Sequence, residues 1–282
     1  MTTMRLLLAV FLCFSITATA AVLPARYIVQ EWVKNSGSGT YQIEQDILFP
    51  TSGEPLVLRE TWWVENENSM RLQVTGLREL KEQFKLQYVY QGGVRYGLGP
   101  GGRMQKKVSE DFVEKYFHYR NFDRLLTELV SMKVLPQSAL VRRTVRSTRE
   151  ADHKPEALVR LGRTGGATAF VFGTPSPVDG DALPGFWIEQ DSFLLKKLRL
   201  PSKVEVIAEK HSASPRGLVF PRARTIRWAN NSVNVQTFSV GSKSGLKPDF
   251  FSVSSLETVN RTDGIENPAL KSLVEEFYLR FR

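Results

Sequence analysis

Cysteine is almost absent from this chain: Cys13 is the only one in 282 residues. It falls inside a stretch that reads as a secretory signal peptide, residues 1–20. Arg5 supplies the positive start, Leu6 to Ile16 the apolar centre, and Ala18-Thr19-Ala20 the small-residue cleavage site. Phe11 and Leu12 stand before Cys13 where lipid attachment wants small residues. The exported chain would hold no thiol, which excludes disulfides, thiolate catalysis and cysteine-bound zinc. Long apolar runs are missing as well. The centre of the signal segment is too short to span a bilayer, and no later run is longer. Histidine is scarce: His118, His153 and His211 stand apart, without H-x-x-x-H or H-E-x-x-H spacing. Gly241-Ser242-Lys243-Ser244-Gly245 has Lys243 where a nucleophile elbow needs serine. Gly97 to Gly102 matches G-x-G-x-x-G, but Arg103 to Val108 reads as strand or loop. No helix opens there to face a pyrophosphate, so the glycines make a turn. The residues assemble no catalytic or metal site and ask for no cofactor.

Acidic residues are the minority, 29 against 38 Lys and Arg, for a net charge of +9 that falls to about +8 without Arg5. Basic clusters occur at Arg142-Arg143, Arg146 and Arg149, and at Arg222, Arg224 and Arg227. Nucleic acid does not suit an exported chain with no helix-turn-helix, zinc or RNA-binding signature. Anionic lipid or an acidic protein partner suits it better, beside the plain alternative of a solvated basic surface. Most Asp and Glu fall on polar strand faces, where solvent exposure accounts for them. The sequons Asn230-Asn231-Ser232 and Asn260-Arg261-Thr262 are expected in surface loops.

Strand is what the chain has in plenty. Thr40 to Phe49 alternates, with Tyr41, Ile43, Ile47 and Phe49 on one face and Gln45 as a polar exception among them. Leu56, Leu58, Trp62 and Val64 share a face in the next run; Met70, Leu72 and Val74 follow, then Phe84, Leu86, Tyr88 and Tyr90. Gln91-Gly92-Gly93 turns a hairpin onto Val94, Tyr96 and Leu98. Ala157–Leu161 and Ala167–Phe172 resume the pattern. From Leu183 to Leu256 short runs follow one another: 186–189, 194–198, 204–208, 218–220, 225–228 and 233–238. Such spacing leaves no room for crossover helices, so neighbours pair antiparallel. Helices are expected at Pro24–Val33, within Ser109–Leu135, and at Asn267–Arg282. Ser138–Thr148 fits a short helix or an edge strand. A sheet with one greasy face must cover it with helices, a second sheet or a ligand.

The order of several motifs resembles the bacterial outer-membrane lipoprotein-sorting proteins, the periplasmic lipoprotein carrier and its relatives. Tyr41-Gln42-Ile43-Glu44-Gln45 is similar to that family's first strand. Glu60-Thr61-Trp62-Trp63-Val64 with Met70-Arg71-Leu72 is similar to its Trp-containing strand and following Arg. Phe186-Trp187-Ile188-Glu189 resembles its Trp-Ile-Asp segment, with Glu189 in place of Asp. Gly217-Leu218-Val219-Phe220-Pro221, then Pro248-Asp249-Phe250-Phe251-Ser252 with Leu256, look like its closing strands. No proline lies in the turn before Arg71, and the tail past Leu256 is longer than in the family.

The resemblance implies an α+β fold: a large curved antiparallel sheet, an incomplete barrel, with helices over its concave face. It divides the chain into the signal peptide, a half-barrel domain at 21–256 and a helical extension at 257–282. It implies a non-enzymatic periplasmic carrier or chaperone of lipoprotein acyl chains or phospholipid. A membrane transporter or outer-membrane receptor would be its partner, with passing contact at the membrane surface, and the protein would act as a monomer. An envelope sensor or interaction module on the same sheet is the alternative, since fold does not settle function. Burying a dozen methylenes gains roughly 10 kcal/mol, against about 0–1 kcal/mol for a surface ion pair, so a greasy lining must set affinity. The candidates for that lining are Ile43, Ile47, Phe49, Leu58, Trp62, Leu72, Tyr88 and Phe172; the plainer account makes each a core residue beneath helices. Gln45 and Arg71 are the polar groups expected to hold a covering helix shut, or else to pair with each other or with backbone.

Overall fold

A computed structural model describes residues 22–141 and 156–282. The expected signal peptide, the part of the Ser138–Thr148 segment beyond residue 141, Arg142, Arg143, Arg146, Arg149 and His153 lie outside the described residues.

Alternation builds the molecule. The strands are β1 (Thr40–Phe49), β2 (Leu56–Asn66), β3 (Ser69–Gly76), β4 (Phe84–Gln91), β5 (Val94–Gly99), β6 (Gly102–Lys107) and β7 (Val159–Thr164). They continue with β8 (Ala167–Phe172), β9 (Gly185–Glu189), β10 (Leu195–Arg199), β11 (Glu205–Ala213), β12 (Val219–Trp228), β13 (Asn231–Lys243) and β14 (Arg261–Thr262). All join one sheet in the order β6-β5-β4-β3-β2-β1-β13-β12-β11-β10-β9-β8-β7, with β14 added on β4. The two ends do not meet, which gives an α+β incomplete barrel. Register puts large apolar side chains opposite each other, Ile43 across from Trp62 and Ile47 across from Leu58. At one end of the sheet every residue of β6 is exposed, including Arg103, Lys106 and Lys107.

Among the described residues three helices cover the greasy face: α1 (Ala25–Lys34), α2 (Phe122–Ser131) and α3 (Pro268–Phe281). The expected long helical region over Ser109–Leu135 divides into a 3-10 turn at Val113–Phe117 and α2. Asn121 causes the restart, because its side chain caps α2 by accepting from Arg124 N. The G-x-G-x-x-G stretch is the β5–β6 hairpin, with Gly99 paired to Gly102. Runs 218–220 and 225–228 prove to be one strand, β12, despite Pro221. β13 pairs only with Ala223 to Trp228, so Pro221 lies where β12 has a single neighbour, and a missing donor is tolerated there. The Phe250–Leu256 stretch is no closing strand; it is irregular, with a 3-10 turn at Val253–Ser255.

One apolar cluster fills the interior and includes residues of all three helices. α1 lays Trp32 against Phe186, ring centroids 5.9 Å apart. α3 enters the hollow of the arch. Its Phe277 meets Phe49 edge-on at 5.2 Å, and Phe281 meets Trp228 at 4.8 Å. Tyr278 lies 6.0 Å from Phe84. At about 2 kcal/mol per buried side chain, these three rings contribute roughly 6 kcal/mol to holding α3 in place. The protein's own helix thus occupies the space expected for a guest.

Candidate functional site

Within this greasy interior sits a ring of charged and polar groups. β1 and β2 place Gln45 directly across from Glu60. Gln45 Nε2 donates to Glu60 Oε2 at 2.7 Å, and Trp62 Nε1 donates to the same oxygen at 3.0 Å. Register slips between Glu44 and Gln45, whose β13 partners are Ser239 and Thr237, leaving Phe238 as the bulged residue. The bulge sets Thr237 to donate to Gln45 Oε1 at 3.3 Å. From β12, Arg224 Nη2 donates to the same Oε1 at 2.5 Å.

Two covering elements complete the ring. The 3-10 turn brings Glu114, which accepts from Arg224 Nη1 at 2.8 Å and lies 3.3 Å from His118 Nε2. Arg282, just past α3, donates through Nε to both Glu60 oxygens at 2.9 and 3.1 Å. Its Nη1 is 3.7 Å from Glu114. Arg95 on β5 fixes the backbone beneath by donating to the carbonyls of Arg282 and Tyr278. Two anions and two cations, all buried, therefore tie the sheet to its covers.

Burial would push the Glu114 carboxyl up, but Arg224, His118 and Arg282 together hold it well below the usual carboxylate range. Burial lowers Arg224 and likewise lowers His118, against the pull of Glu114. Arg282 is driven the other way: Glu60 and Glu114 overcome desolvation and raise it above an ordinary arginine. Paired charges of this kind tolerate burial only as a set. Among the described residues no group of three or more potential metal ligands gathers, and the ring presents no nucleophile beside a base.

The predicted site residues divide. Ile43, Ile47, Phe49, Leu58, Trp62, Leu72 and Phe172 are sealed in the core beneath the helices. Tyr88 is partly buried and lines a groove of about 250 Å³ between β4 and α3, with Phe84, Leu86, Val274, Leu279 and Arg95. Gln45 joins the ring that ties down the covers. Arg71 does not, because it sits across from Trp63, on the face opposite Trp62. There it donates to Phe250 O at 2.7 Å and to Ser255 O at 2.9 Å, pinning an irregular strap on the outer face.

Other expectations change too. Arg224 is no part of a surface basic cluster; it shares the inward face of Phe220, Ile226 and Trp228. Glu60 and Glu114 are buried, contrary to a general exposure of acids. Asn260 lies outside any strand, as its sequon suggests, but is partly buried, with its Oδ1 accepting from Gln87 N at 2.7 Å. Glu60, Arg224 and Thr237 each fall at an apolar position of an alternating strand, as Gln45 does, and that parity was the available signal. Arg282 carries no such mark.

A second hollow, an open cleft of about 740 Å³, lies at the rim between the β4–β6 end and α2. Tyr90 and Phe112 reach it as a stacked pair 4.9 Å apart, and Lys115, Arg124 and Glu128 stand around it. No helix among the described residues is long and apolar enough to cross a membrane.

No protein-family model and no curated protein matches the sequence. Solved structures do match its shape. A LolA superfamily protein from Nitrosomonas europaea is 12% identical, with TM-score 0.52, over 83% of this chain and 100% of that one. An outer membrane lipoprotein-sorting domain from Vibrio parahaemolyticus is 11% identical, with TM-score 0.49, over 82% of this chain and 97% of that one. The likeness is one of architecture: the open half-barrel of this chain shares its fold with the Nitrosomonas europaea protein.

Proposed function

We propose that this protein is a non-enzymatic envelope carrier of acyl chains, whether those of lipoproteins or of free lipids, moving them toward the outer membrane. The observation that carries this reading is the filling of the half-barrel. Its greasy hollow is occupied by one amphipathic helix, α3, whose inserted face is Val274, Phe277, Tyr278 and Phe281. Hydrocarbon can take the place of the rings themselves, since about 0.8 kcal/mol per methylene balances their burial, which leaves the Arg282–Glu60 pair as the barrier to release. The shared fold and the ordered motifs support the same reading. α3 then acts as a resident plug, and the groove beside Tyr88 is where an acyl chain starts to enter.

The test is mass spectrometry of lipids co-purifying with the mature protein, beside titration with an environment-sensitive acyl probe. Wild type is expected to bind the probe weakly, and Phe281→Ala, which loosens the plug, more tightly. Absence of lipid together with absence of probe binding in both proteins overturns the reading. The filled interior favours one second reading, a sensor or interaction module that keeps α3 seated and binds protein on its outside. A saturable protein partner with no lipid in either protein would support it.

A further inference from the structure

We infer that the Glu60 site receives the cationic headgroup of an amphiphilic cargo, and that Arg282 is the chain's own stand-in for that ammonium or guanidinium. This rests on the carrier reading above and specifies its ligand class. The guanidinium of Arg282 is held as a bound ligand would be held. Glu60 grips its Nε with both oxygens at 2.9 and 3.1 Å, and its carbon lies 5.8 Å from the Trp62 ring and 4.8 Å from the Phe277 ring. The receiving half of that cage belongs to the sheet. Glu60 and Trp62 are on β2 and Gln45 is its partner on β1, so all three stay when α3 withdraws.

Withdrawal removes the positive charge that Glu60 grips, and it frees Arg95 on β5 from the Tyr278 and Arg282 carbonyls. Arg224 is committed to Glu114 at 2.8 Å and to Gln45 at 2.5 Å. Glu60 is then a carboxylate in a greasy wall with only Gln45 and Trp62 as donors, which is costly. A neutral headgroup leaves that cost in place, and an anionic one adds to it by facing Glu60 and Glu114. A cation with N–H donors restores the closed-state balance. A further polar atom waits there. The buried Tyr90 hydroxyl has no hydrogen-bond partner among the described residues and lies within the fields of Arg95, Arg282 and Glu60. It can accept from a headgroup N–H. The hydrocarbon would take the room of Phe277 and Phe281, against Phe49 and Trp228.

Competition among dodecylammonium, dodecanol and dodecanoate for an environment-sensitive acyl probe on the full chain tests this. Dodecylammonium is expected to compete at least about tenfold better than dodecanol, although the protein's +9 charge favours dodecanoate at its surface. Arg282→Ala should widen that preference, and Glu60→Gln should erase it. Dodecylammonium, and not dodecanol, should also raise the melting temperature of Arg282→Ala. The Arg282→Ala/Glu60→Gln double variant, which holds neither charge, should bind all three alike and serves if the single variant does not fold. Equal competition by the three in wild type, strongest competition by dodecanoate, or a preference that survives Glu60→Gln overturns the assignment while leaving an acyl carrier. Failure of the probe and all three chains to bind removes the carrier reading and this inference together.

Discussion

Replacing Arg282 with alanine is the sharpest test of what holds the helix in the half-barrel. The substitution removes the Nε–H that is shared between both Glu60 oxygens, at 2.9 and 3.1 Å, in a pair whose side chains are both fully buried. It leaves Glu60 with Gln45 and Trp62 as donors and with Arg224, bonded to the same Gln45, as the remaining nearby cation. Breaking a buried pair by removing one partner costs about 3–5 kcal/mol, most of it the penalty of the stranded charge. In a domain of this size 1 kcal/mol is about 2–4 °C, so a fall of roughly 10 °C in Tm is expected. If the stranded carboxylate is the cause, adding Glu60→Gln should recover at least half the loss, because a neutral amide is far cheaper to bury. Urea unfolding followed by tryptophan fluorescence gives both numbers, since Trp62 and Trp228 flank the plug. Loss of less than about 1 kcal/mol, or a double variant weaker than the single one, would refute the latch described here.

Gln45→Leu strips Glu60 and Arg224 of one partner each and should cost about 3 kcal/mol in the same unfolding assay. Arg71→Ala should cost only about 1–2 kcal/mol, and hydrogen exchange should quicken in the strap around Phe250–Leu256 while β1 and β2 stay protected. Acid should weaken the fold in two stages. His118 is lowered by burial, and His211 falls from 6.5 to about 4, so the unfolded chain takes up more protons; stability drops as pH falls from about 6.5 toward 4. Glu114 is depressed, so its contribution persists lower and is lost only as pH drops below the ordinary carboxylate range. His211→Gln should flatten the upper stage, which thermal melts at a series of pH values would show; an unchanged profile would refute the assignment.

The strands were legible because half-buried sheets write their two faces into the sequence with period two. Ile43, Ile47, Leu58, Trp62 and Leu72 all stand on the face that alternation assigned them. The same rule marked Gln45 as out of place, and applied evenly it marks Glu60 between Leu58 and Trp62, and Arg224 between Phe220 and Ile226. Reading Glu60 as one of many solvated acids and Arg224 as part of a basic cluster hid the ring. Arg71 takes the alternative given for it, pairing with backbone: a lone charge beside Met70 and Leu72 is a normal outer-face residue, and its partner is a strap 179 residues away. Nothing local shows where α3 docks. Its apolar pattern is loose, and whether a helix lies on a sheet or enters its hollow depends on the curvature of strands far from it in sequence.

The positively charged end of the ladder at β6 has a bearing on solubility. A sheet that does not close exposes a row of unpaired amides to any passing copy. Here an approaching twin meets Arg103, Lys106 and Lys107 on its own six-residue edge, like facing like. That repulsion decays within about 10 Å at 0.1 M salt and about 3 Å at 1 M. Concentrated brine therefore strips away the guard, and self-association that begins there should grow with ionic strength, as light scattering across a salt series would register.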